Sequence, residues 1–84
     1  MNRKELIGKM EQAYRMVIAI GDRMFRIVRD EDDWLTITER NRLESEKHYS
    51  DTNQLISRYR IDGKPLRDSI GAITIVKYTA LLDA

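Results

Sequence analysis

Cysteine is absent, and proline, histidine, tryptophan and phenylalanine each occur once in the 84 residues. Without cysteine there is no disulfide and no thiolate-ligated metal, which fits a reducing compartment. One histidine rules out a histidine-rich metal site within a single chain. Long apolar runs are missing too. The longest uncharged apolar stretch, Met16 to Ile20, is far shorter than the roughly 20 residues a membrane helix needs. The opening Met1-Asn2-Arg3-Lys4-Glu5 is charged but lacks the apolar core of a signal peptide behind it. These absences predict one small domain, residues 1–84, in the cytoplasm, with no cofactor, no metal and no membrane partner.

Charge is balanced in total, at +1, but not along the chain. Residues 1–29 carry a net +4, residues 30–54 a net −5 and residues 55–84 a net +2. Either the acidic middle folds back beside the basic N-terminal segment, or a basic face stays open for an acidic partner.

Residues 22–30, DRMFRIVRD, do not alternate apolar and polar as a half-buried strand does. Leu6, Met10, Ala13, Val17, Ile20, Met24 and Ile27 instead recur at spacings of four and three, straight across Gly21. Ile7, Tyr14, Ile18, Phe25 and Val28 widen that stripe. Glu5–Lys9, Glu11–Arg15 and Asp22–Arg26 place acid four residues before base, the favoured helical order. Asn2 and Glu5 have capping-box spacing. The pattern predicts one helix over residues 3–29, with Gly21 costing about 1 kcal/mol in its interior.

Asp30 to Asp33 end that helix, because acids oppose the dipole at a helix C-terminus. Trp34 to Thr38 has strand character, but the charged run that follows predicts a helix over about 36–48. Asp51 and Gln54 offer a fresh N-cap before Leu55, Ile56 and Tyr59. Asp62-Gly63-Lys64-Pro65 can be read as a helix end and start, or as an Asp-Gly hairpin. Pro65 favours the first, with a last helix over about 65–82.

Few motifs carry chemistry. The acidic run 30–33 lacks the spaced ligands, turn glycine and distal glutamate of a calcium loop. His48, near Ser50 and Asp51, has no recognisable catalytic pattern around it. Arg58-Tyr59-Arg60, with Lys64 and Arg67, interleaves cations and an aromatic in a way that can hold phosphates and stack a base. Trp34 either caps the core or anchors a partner. The layout is similar to the all-helical chorismate mutases, which are intertwined dimers. That family holds its substrate with inward arginines, whereas Arg15, Arg26 and Arg29 fall opposite the apolar stripe here, so no catalytic residue is assigned.

The resulting expectation is an all-α bundle, a long N-terminal helix plus two or three shorter ones. The alternative is an α+β fold with an N-terminal helix and a hairpin over 23–38. The expected function is a non-enzymatic regulatory module that binds another protein as a homodimer. Leu6, Met10, Tyr14, Val17, Met24 and Phe25 form the expected dimer seam, since nothing in 38–54 can cover the wide stripe. Trp34, Arg58, Tyr59, Arg60, Lys64 and Arg67 are the expected partner-binding residues. A nucleic-acid-binding regulator using Arg58 to Arg67 is the second reading, and a small helical enzyme the third.

Overall fold

The capping box predicted at the N-terminus forms. Asn2 Oδ1 accepts from the Glu5 backbone N–H at 2.8 Å, and the Asn2 N–H donates back to Glu5 Oε1 at 3.4 Å. The helix it opens, α1 (Arg3–Gln12), stops at Ala13, whose backbone is already extended. The computed structural model describes all 84 residues. After α1 come β1 (Ala13–Ile20), β2 (Arg23–Arg29), β3 (Leu35–Glu39), β4 (Arg42–Tyr49) and α2 (Thr52–Arg58). Two short strands, β5 (Arg60–Ile61) and β6 (Lys64–Pro65), precede a 3₁₀ helix (Leu66–Ala72) and the last long strand, β7 (Ile73–Ala80). The long strands make one antiparallel sheet in the order β4-β3-β2-β1-β7.

The fold is therefore mainly β, with 48% of residues in strands and 32% in helices, and the all-α expectation is overturned. The long helix over 3–29 does not exist. Gly21 has φ +62°, and the chain turns there, pairing Ile20 with Arg23 across a hairpin. Two features hid these strands. β1 lies inside the sheet, and both its faces are apolar: Met16 and Ile18 are fully buried, Val17 and Ala19 half-buried. A strand whose central residues are apolar on both faces reads as a continuous run. β2 does alternate, but Arg23 and Arg29 stand at the two ends of its inward row and conceal the pattern. Both are satisfied there. Arg23 meets Glu39 and Asp62, and Arg29 donates to the Met10 and Ala13 carbonyls at the end of α1, at 2.7 and 3.0 Å.

The helices expected over 36–48 and 65–82 are corrected in the same way. The first is the β3–β4 hairpin, whose charges lie largely on the edge strand β4, where charge blocks pairing with other chains. The second is the 3₁₀ helix followed by β7, formed from the β-branched ITIV run. Asp62 and Gly63 have φ of 54° and 83° and join β5 to β6; the Asp-Gly hairpin reading was the right one. The α+β alternative is closer, since β2 pairs with β3 from Phe25–Glu39 to Arg29–Leu35. Asp51 caps α2 as its sequence implies, accepting from the Gln54 N–H at 2.8 Å. With the long helix goes the chorismate-mutase-like layout.

One face of the sheet carries the core. Met16, Ile27 and Ile37 form a cross-strand row, and Ile18 with Phe25 a second. Leu6 and Met10 of α1, Leu55 and Ile56 of α2, and Leu66 of the 3₁₀ helix close over them, all fully buried. Each such side chain contributes about 1.5–3 kcal/mol by leaving water. Tyr78 ties β7 to α1, its hydroxyl donating to the Lys9 carbonyl at 2.6 Å. No helix is long and apolar enough to cross a membrane.

Candidate binding site

No helix covers the second face of the sheet. Pairing fixes who shares it: Val17 lies between Arg26 and Lys77, Ala19 pairs with Met24, and Arg26 pairs with Thr38. Two irregularities shape this face into a cleft. In β7, Ile75 pairs with Ile18 and Lys77 with Val17, so Val76 is an inserted residue. Such a bulge puts consecutive side chains on one face. In β4 the register jumps from Lys47 to Arg42, leaving Leu43 to Glu46 without strand partners. Ser45 bridges the gap, accepting from the Glu39 N–H at 2.8 Å and donating to the Arg42 carbonyl at 2.6 Å. Leu43 is thereby held out, 80% exposed.

The cleft measures about 400 Å³. Val17, Met24, Leu43 and Val76 supply its apolar surface, and Arg26, Arg40 and Lys77 its charge. None of those three cations has an ion-pair partner. Arg40 instead lies against the Met24 sulfur, 3.5 Å away. Glu39 is the cleft's one carboxylate, and both its oxygens are taken by Arg23 at 2.8 Å. The Arg23 guanidinium holds the Glu39 carboxyl below the usual carboxylate range.

The residues singled out in the sequence scatter. Of the expected dimer seam, Leu6, Met10 and Phe25 are fully buried in the core. Val17 and Met24 reach the cleft, and Tyr14 is 39% exposed at the start of β1. Of the expected partner-binding set, Tyr59 is buried with its ring edge-on to Phe25 at 6.2 Å, so it offers no face for a base. Arg58 and Arg60 line a groove on the other side of the sheet. Lys64 sits in β6, and Arg67 faces Asp68 at 4.0 Å. Trp34, 46% exposed, closes the β2–β3 loop, its backbone N–H donating to Asp30 Oδ1 at 3.0 Å. That hydrogen bond gives Asp30 a turn-forming role in the acidic run. His48 is exposed, with Nδ1 at 2.8 Å from the Thr36 hydroxyl.

Sequence reasoning missed Arg26, Arg40, Leu43, Val76 and Lys77. They are far apart in the chain, and only strand pairing and two bulges bring them together. No known protein family, curated protein or solved structure matches this chain.

Proposed function

We propose that this protein is a non-enzymatic interaction module that binds an acidic, apolar-bearing segment of another protein in the cleft on the open sheet face. The observation that carries the reading is the apolar floor ringed by Arg26, Arg40 and Lys77, all without ion-pair partners. Carboxylates of a partner would meet the ring while its apolar side chains fill the floor, and charge complementarity of this kind sets specificity and association rate. The cleft's volume lies within the range of ligand-binding pockets. With Glu39 engaged by Arg23, the chemistry offered is that of binding. Fluorescence anisotropy with labelled peptides tests it. A peptide mixing Asp/Glu with Leu/Phe should bind, its Lys/Arg counterpart should not, and Val76→Glu should weaken binding by at least about tenfold. Equal binding of both peptides, or no effect of Val76→Glu, would refute the reading.

Homodimer formation is a second reading, favoured by the contrast between the two sheet edges. β4 carries Arg42, Glu44, Glu46, Lys47 and His48, whereas β7 carries only Lys77. An unguarded edge strand can pair with its own copy about a two-fold axis. Light scattering should then give twice the 9.9 kDa chain mass, reverting to the monomer with Thr74→Glu.

A further inference from the structure

The groove on the helix-bearing side of the sheet, between β4 and the α2–β5 segment, measures about 350 Å³ and is lined by five cations and three acids. Two of the acids are spent. Arg23 takes Glu39 through two bonds at 2.8 Å and Asp62 at 2.6 Å, forming a closed network at one end. Arg42, Lys47, Arg58 and Arg60 remain, and none forms an ion pair. Glu44, the third acid, pairs with none of them.

Protection of a sheet edge accounts for part of this. Charged side chains on an edge strand discourage pairing with other chains, and Arg42 and Lys47 belong to edge strand β4. It does not account for Arg58 and Arg60, which come from α2 and β5. The preference of cations for a helix C-terminus accounts for Arg58 alone, and the dipole there offers only about half a unit of negative charge. Like charges gathered from three elements repel one another, and an anion joining them relieves that repulsion.

We propose that this groove binds a ligand through a phosphate group. The five cations and three acids that line the groove sum to a net charge of +2. A single phosphate group brings about −1.5 to −2, which brings the groove near neutrality. Arginine suits the task because its planar fork donates two parallel hydrogen bonds to a phosphate. Arg60 spends only one N–H within the chain, on the Gly63 carbonyl at 2.8 Å. Tyr49 also lines the groove, and burial pushes its hydroxyl above the ordinary phenol range. It therefore remains a neutral donor at physiological pH. Phosphate groups occur in small free phosphate compounds and, as phosphodiesters, in single-stranded nucleic acid.

Calorimetric titration with inorganic phosphate and with a short oligothymidylate tests the proposal. At least one probe should bind, and raising the salt concentration should weaken it. The double variant Lys47→Ser/Arg58→Ser should lose about tenfold or more in affinity while keeping its circular dichroism, because both residues are exposed. Lys64→Ser in β6 and Arg26→Ser in the opposite cleft should change affinity by less than about twofold. Tighter binding of inorganic phosphate would identify a small free phosphate compound as the source, and tighter binding of the oligonucleotide a nucleic-acid backbone. No binding of either probe would overturn the proposal. So would an unchanged double variant, or an equal loss in the controls. Because Arg26 serves the open face, its variants separate failure here from failure of the protein-binding reading.

Discussion

Gly21 and Gly8 look alike in the sequence, each a glycine inside an apparently helical pattern, and they behave oppositely. Gly21 has φ +62°, while Gly8 lies within α1; neither has an atom within 4 Å of the place a Cβ would occupy. Substitution effects therefore come from the backbone alone. Gly21→Ala should destabilise the protein by about 1–2 kcal/mol, since an L-residue resists the left-handed conformation. Gly8→Ala should stabilise it by up to about 1 kcal/mol, alanine being the better helix former. Urea midpoints should move in opposite directions, and a Gly21→Ala midpoint above wild type would contradict the hairpin. Residue-scale signals of this local kind were partly legible. The Asn2 and Asp51 caps act within three residues and could be read directly. The sign of φ at Gly21 could not, because it depends on what the flanking segments pair with.

At the scale of elements, the misread segments share a cause. Periodicity reports burial on one face, and β1 is apolar on both. β2 has arginines at the ends of its inward row, and those make sense only once their partners are known. Arg29 is intelligible through the carbonyls ending α1, and Arg23 through Glu39 of β3 and Asp62 beside β5. The last network ties the first hairpin to β3 and to the small β5–β6 hairpin, and it predicts a pH dependence. Hydrogen bonds from Arg23 lower the Glu39 pKa in the folded state. As pH falls, the unfolded chain takes up its proton first, near the ordinary carboxylate value of about 4.3. The stabilisation is thus complete above that value and is lost as pH falls through the lower folded one. Thermal melts from pH 6 to pH 2.5 should show a steeper loss of stability below about pH 4.3 for wild type than for Glu39→Gln. Parallel curves would mean that the network contributes nothing to folding.

Taken whole, the molecule is a sheet with a cleft on its open face and a groove on its helix-bearing side, and its rigidity should be uneven. β1, β2 and β3 are each paired on both sides, whereas β4 and β7 are edges. Within β4, Leu43 to Glu46 lack strand partners, and Leu43 forms part of the cleft on the open face. Amides held in a doubly paired, buried strand exchange with solvent only when the whole domain unfolds, while unpaired edge segments open locally at far lower cost. Hydrogen exchange followed by NMR should therefore find Ile18, Phe25 and Ile27 protected to the global limit. Residues 43–46 should exchange at least about a hundredfold faster. The same segment tests the proposed peptide binding. An acidic peptide seated against Leu43 restrains that side of the cleft, so exchange at 43–46 should slow on binding while the core amides slow only in step with global stability. Phosphate probes in the opposite groove should slow Arg42 and Lys47 instead. If 43–46 were as protected as Phe25 in the free protein, the cleft would be a fixed surface and its proposed tightening would have no mobile part.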